Sequence, residues 1–326
     1  MASNTIPKMI ALAFGVLSMC PSILFAQAWP SKPIRMIVPF PPGGGTDFIG
    51  RVVGQRLADR LGQQVVIDNR GGANGIVGLE ILKVSPPDGY TIAAVPQGPM
   101  SINPLIYSKL PYDSLRDFAP IANMVNVPLL LVTHPSLPVK NVRELIALAK
   151  KEPGKLAYSS QGAGNSGHLA AELFDSMARI KMIHVPYKGT GPANMALLAG
   201  EVQLTYSSIP TVLQHVRAGK LRALGIGNSQ RIPSLSEFPT IAESGLPGYE
   251  AYAWTGMIAP ANTPKDIIAR INREIVQIIK QKDVADQLLK EGMVPTPSTA
   301  EEFGAYIKAE IEKWGPVVKQ ANIRAE

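Results

Sequence analysis

Residues 34–61 read IRMIVPFPPGGGTDFIGRVVGQRLADRL. The apolar run 34–40 has the length and branching of a buried strand, and Pro41-Pro42 ends it. Gly43-Gly44-Gly45-Thr46-Asp47 follows as a flexible loop, and residues 48–61 then place Val52, Val53, Leu57 and Leu61 near helical spacing. Strand, glycine loop, helix is the repeating unit of an α/β layer. The unit recurs downstream. Residues 64–68 (QVVID) read as a second strand, Gly71-Gly72-Ala73-Asn74-Gly75 as a second glycine loop and residues 75–84 as a helix. Residues 90–95 predict a third strand and 127–133 (VPLLLVT) a buried one.

A second series succeeds the first. Helices are expected at 141–151, 168–178 and 190–199, alternating with strands at 156–159, 182–185, 202–207 and 221–226. Pro186, Pro192, Pro233 and Pro239 punctuate the loops. The last third reads as helical. Thr263-Pro264 predicts an N-cap with a proline at the first helical position. Ile267, Ile268, Ile271, Ile275, Ile278 and Ile279 form one apolar face through Gln281, which reads as core. Thr299 and Glu302 have capping-box spacing ahead of a final helix that runs toward Gln320.

Composition narrows the function classes. The chain has 326 residues, 46% of them hydrophobic and 17% charged, which excludes a mainly disordered protein. One cysteine, Cys20, excludes a disulfide framework and a multi-thiolate zinc site. The formal charge of +7 is scattered, with no basic run and no basic–aromatic stripe, so a nucleic-acid partner is not expected. At the N-terminus Lys8 precedes an apolar segment, residues 9–20, and Ala26-Gln27-Ala28 fits a small-x-small cleavage pattern. Residues 1–28 are expected to be an export signal cut after Ala28, with Ala26 as the alternative.

The glycine loops are where chemistry is expected. Gly43–Asp47 opens a helix whose first N–H groups have no intrahelical partner, so the loop can hold a carboxylate or phosphate without a charged side chain; it also reads as a plain tight turn. Asp47 reads as a helix cap in preference to a ligand for an amino group. Gly162-Ala163-Gly164-Asn165-Ser166-Gly167-His168 fits G-x-G-x-x-G, but no carboxylate follows about 20 positions on, which argues against a dinucleotide site. The histidines, His134, His168, His184 and His215, lack metal-binding spacing, so no metal or cofactor is expected. Ser166 and His168 leave open an exported hydrolase or transferase, although no G-x-S-x-G is present.

The order of motifs resembles one family, the Bug-type (UPF0065) extracytoplasmic solute receptors of tripartite tricarboxylate transporters. The resemblance rests on Trp29-Pro30-Ser31-Lys32-Pro33-Ile34, Val38-Pro39-Phe40-Pro41-Pro42-Gly43-Gly44 with Asp47, Asn69-Arg70, and Pro87-Asp88-Gly89-Tyr90-Thr91. It continues through Tyr158-Ser159-Ser160, Val185-Pro186-Tyr187-Lys188-Gly189 and Pro260-Ala261-Asn262-Thr263-Pro264. It implies an α/β, two-lobed periplasmic binding protein of the Venus-flytrap type, each lobe a mainly parallel sheet flanked by helices. Residues 29–126 plus 250–326 would form one lobe and 127–249 the other, with hinges near Asn126 and Tyr249. The implied function is non-enzymatic: a monomer that captures a small organic carboxylate or amino acid and delivers it to membrane permease subunits.

The implied ligand contacts are Phe40, Gly43, Gly44, Gly45, Thr46, Asp47 and Gln97 from the first lobe. Gln161, Gly164, Asn165, Ser166 and His168 would face them from the second. Tyr187, Lys188, Gly189 and Thr190 would join the two, with Ser207 nearby. Three places depart from the family's habit, the first being Gly72-Ala73-Asn74-Gly75, where the family more often has Gly-Gly-Asn. Gln97 stands where small hydroxyl residues are common, and Tyr206-Ser207-Ser208 replaces a segment that often has an acidic residue.

Overall fold

The computed structural model describes Met1 and residues 29–325; the expected export signal falls on residues outside this range. The expected strand–loop–helix unit is β1 (Ile34–Val38) followed by α1 (Gly45–Leu61). Strand alternation sorts its side chains: Ile34, Met36 and Val38 enter one core and Ile37 the opposite one. Arg35 instead reaches Asp68 on the neighbouring strand, with Nε donating to Oδ2 at 2.7 Å. On α1, Gly50 and Gly54 face the sheet. A Cβ at either would lie 3.3 Å from Val38 or 3.1 Å from Ile67, so their bareness lets the helix settle close to the strands.

The first half continues with β2 (Val65–Asn69), α2 (Ile76–Lys83), β3 (Thr91–Pro96), a short π turn at Gly98–Ile102 and α3 (Asn103–Ile106). Then comes β4 (Phe118–Thr133), 16 residues long, of which only the last seven were expected. The second half holds α4 (Val142–Lys151), β5 (Ala157–Ser160), α5 (Ser166–Ala178), β6 (Ile183–Pro186) and α6 (Thr190–Leu198). It closes with β7 (Leu204–Ser208), α7 (Ile209–Arg217) and β8 (Arg222–Ile226). The chain returns through β9 (Tyr252–Pro260), α8 (Lys265–Ile279), α9 (Lys282–Lys290), β10 (Val294–Pro295) and α10 (Ala300–Gln320).

Strand order is β2-β1-β3-β9-β4-β7-β5-β6, with β8 and β10 also on β4. The parallel expectation holds within β2–β1–β3 and within β6–β5–β7. Strands β4 and β9 run antiparallel to their neighbours, because they are the segments by which the chain passes between the halves and comes back. The N-terminal part of β4 pairs with β9, and Leu130–Thr133 lies between β7 and β8. One long strand therefore belongs to both halves.

Strand β9 and helix α7 were not anticipated. Strand β9 is buried at seven of nine positions and has no polar alternation to announce it. The isoleucine stripe of α8 is core, as expected, with Ile271, Ile275, Ile278 and Ile279 fully enclosed. Its start differs: Pro264 occupies the N-cap, and the Thr263 hydroxyl donates to the Pro260 carbonyl at 2.8 Å, closing the preceding turn. The capping box of α10 is present, with Thr299 and Glu302 exchanging bonds at 2.9 and 3.1 Å. Helix α10 packs Phe303 and Ile307 against the first half and Trp314, Val317 and Val318 against the second.

Candidate ligand-binding cleft

The carboxyl ends of β1, β3, β5 and β7 lead into helix N-termini or turns that surround one cleft. Its largest chamber, about 590 Å³, lies between Phe40, Pro96, Gln97 and Pro99 on one side and Gly164, Asn165, Ser166 and Leu169 on the other. A second chamber of about 520 Å³ is lined by Phe40 and Pro41 through Thr46. A third, about 380 Å³, runs past Gly45 and Thr46 to Ser208, Thr211, Ala253 and Glu291. Pro96 borders all three, so they are neighbours along one wall of the cleft.

Helix α1 ends in this cleft. Gly44 is its N-cap without a side-chain cap, which leaves the first N–H groups free for a ligand. Asp47 is buried beneath the loop. Its Oδ2 accepts from Gly43 N and Arg51 Nε, both at 2.9 Å, and Oδ1 accepts from Asn69 Nδ2 at 2.9 Å. The bond from Arg51 is the main cause that holds its carboxyl down at about 2, helped by Gly43 and Asn69 against the opposing effect of burial. The carboxylate thus folds the loop back on the helix, and every contact it makes is internal.

Helix α5 meets the cleft from the other half. Asn165 caps it by accepting from His168 N at 3.2 Å. His168 lies beneath the loop, with Nδ1 accepting from Gly164 N at 2.9 Å and Nε2 facing Glu172 Oε1 at 3.6 Å. Its ring stacks on His184 at 3.7 Å, and His184 Nε2 meets Ser160 Oγ at 2.6 Å. Burial, and then the neighbouring His168, push His184 down to about 4. Both His168 nitrogens are occupied, which leaves none to activate Ser166.

The candidate residues therefore separate. Phe40, Gly43, Gly44, Gly45, Thr46 and Gln97 border the cleft, as do Gly164, Asn165 and Ser166. Asp47 and His168 support loops from below. The turn Tyr187–Thr190 stands behind the Gly162–His168 loop, with Gly189 N donating to the Gln161 carbonyl at 3.2 Å, and borders none of the three chambers. Ser207 is buried and bonds to Thr211, which does line the cleft. Sequence reasoning missed Pro96, Ala253, Thr211, Glu291 and Arg324. Only Arg324 and Glu291 are charged among the residues bordering the chambers.

Residues 49–323 match the family described as the tripartite tricarboxylate transporter family receptor. The chain belongs to that family. BugT of Bordetella pertussis is 38% identical over 300 residues, 92% of each chain. The structure of R. palustris Rpa4515 with adipate is 36% identical with a TM-score of 0.77, covering 91% of this chain and 99% of that one. MatC (Rpa3494) from Rhodopseudomonas palustris with bound malate is 30% identical with a TM-score of 0.72, covering 89% and 100%. The fold is thus the two-lobed one of periplasmic binding proteins, as the motif order implied.

Proposed function

We propose that this receptor captures a small organic carboxylate between its lobes, outside the cytoplasmic membrane, and hands it to the permease of a tripartite transporter. The observation that favours this reading most is the cleft itself: the glycine-loop start of α5 borders a chamber of about 590 Å³ whose lining is neutral except for Arg324, and the glycine-loop start of α1 borders the neighbouring one of about 520 Å³. Backbone N–H groups at helix starts hold carboxylates by dipole and hydrogen bond together. The ligands in the two related structures, adipate and malate, are of this class. Residues 29–126 with 250–326 form one lobe and 127–249 the other. They hinge where β4 and β9 cross, at Val127 paired with Ala253. Closure of the lobes converts the ligand's preference for the closed form into a population shift.

Titration calorimetry with C4 to C6 dicarboxylates tests the proposal. Saturable binding of one of them with no chemical change in the ligand is expected. Turnover of a bound acid, or no binding across the set, would overturn it. The hydrolase alternative loses its support in the geometry, since His168 is committed to Gly164 and Glu172 and leaves Ser166 without a base.

A further inference from the structure

Gln97 is 3% exposed and borders the largest chamber, and what lies behind it dictates which way its amide points. Behind it is Glu310, 4% exposed. Glu310 Oε2 accepts from Gln97 Nε2 at 2.5 Å, from Trp314 Nε1 at 3.0 Å and from Trp254 Nε1 at 3.3 Å, and Oε1 accepts from Lys313 Nζ at 3.4 Å. Indole N–H and ammonium groups only donate, so the carboxylate serves as the acceptor for all of them. The carbonyl end of Gln97 cannot face it without repulsion. The amino end is held inward, and Oε1 is turned the other way. Gln97 Oε1 receives a hydrogen bond from no described residue, and Gln97 borders the chamber. The cleft is the side from which a donor can reach that oxygen.

We infer that Gln97 Oε1 is a specificity acceptor, oriented by Glu310, and that the ligand is a carboxylate whose carbon skeleton also bears a hydroxyl or amino hydrogen-bond donor. The inference rests on the receptor reading and sharpens it. The opposite wall offers donors from Asn165 and the start of α5, suited to a carboxylate; the Gln97 wall offers an acceptor. A ligand lacking a donor leaves that acceptor unpaired when the lobes exclude water, and an unpaired buried polar group weakens binding more than a made bond strengthens it.

Calorimetry with matched pairs, malate against succinate and 2-hydroxyadipate against adipate, reads the effect as a ratio of dissociation constants. The hydroxylated member of the pair that fits is expected to bind about tenfold to a hundredfold more tightly. Gln97→Met should collapse the ratio toward one. Glu310→Gln should lower it as well, because a neutral amide in place of the carboxylate can satisfy either end of the Gln97 side chain. Thermal melts verify that both variants fold, and a merely structural role for Glu310 would weaken both members of a pair alike and leave the ratio intact. A wild-type ratio near one, or a ratio that survives Gln97→Met, overturns the inference while the receptor reading stands. Failure of all four acids to bind removes both.

Discussion

The glycine loops at the starts of α1 and α5 both border the cleft and are secured by different chemistry. The first, at the start of α1, is tied down by one buried carboxylate: Asp47 accepts from Gly43, Arg51 and Asn69. The second, at the start of α5, rests on stacked imidazoles, with His168 accepting from Gly164 and His184 bonded to Ser160. A carboxyl held at about 2 keeps its charge at any ordinary pH, so the first loop has a fixed tie. The second loop has a neutral acceptor in that place, the Nδ1 of His168, which takes the Gly164 N–H.

The largest expected effect breaks the first tie. Asp47→Ala leaves the Gly43 N–H and the Asn69 amide without their acceptor and should lower stability by about 3 kcal/mol, read by chemical denaturation at pH 7. The stabilisation that Asp47 contributes is complete above 3.8, its ordinary value, and is lost as pH falls through about 2. The difference between wild type and Asp47→Ala should therefore be constant from pH 5 to 8 and shrink only in strong acid.

How much of this was legible in the sequence follows from where each signal resides. The loop at 43–47 was legible because glycines between a strand pattern and a helix pattern have local meaning. The capping box at Thr299 was legible for the same reason: its partners are three residues apart. The clamp on Gln97 was not, because Glu310 lies 213 positions away and approaches only once α10 has packed across the sheet. Strand β9 was missed because a strand buried on both faces has no alternation, and Trp254 and Thr255 within it resemble neither neighbour. His168 reads as a helix-start residue that makes a hydrogen bond or as a contact for the ligand, and the structure shows its Nδ1 accepting from Gly164 N beneath the loop. Nothing in one sequence shows that His184, 16 positions on, stacks against it.

Asp175, near the C-terminal end of α5, accepts from Met182 N at 2.7 Å with Oδ2, while Oδ1 is buried without a partner among the described residues. Burial chiefly, with Glu172 adding to it against the opposing Met182 bond, pushes the carboxyl up to about 7. The native state therefore holds a proton that the unfolded chain has lost, and stability falls as pH rises from 3.8 to about 7. Asp175→Asn should stabilise by about 2 kcal/mol at pH 8 and hardly at all at pH 4. His184 works in the opposite sense. Its native value of about 4 lies below its ordinary 6.5, so its contribution is complete above 6.5 and is lost as pH falls toward 4. In wild type the two slopes offset each other between pH 4 and 6.5. In Asp175→Asn stability should fall on acidification, by no more than about 1 kcal/mol after solvent screening. Adding His184→Gln, whose amide reaches Ser160 from the Nε2 position, should flatten the curve again.

The smallest effect separates a loop's tie from its ornament. Arg51 is the first cause of the low value at Asp47, which invites the reading that the ion pair holds the first loop. Its side chain is 53% exposed, however, and an exposed pair loses most of its Coulomb energy to solvent and ions. The Gly43 and Asn69 bonds are internal and remain when Arg51 goes. Arg51→Ala should therefore cost only a small fraction of what Asp47→Ala costs, and less still as salt is raised. If the two variants instead destabilise equally in denaturant titrations, the first loop is held by its surface charge. Its tie would then be the salt-sensitive one, and the contrast with the buried imidazoles of the second loop would be between exposed and enclosed supports as much as between a permanent charge and a neutral ring.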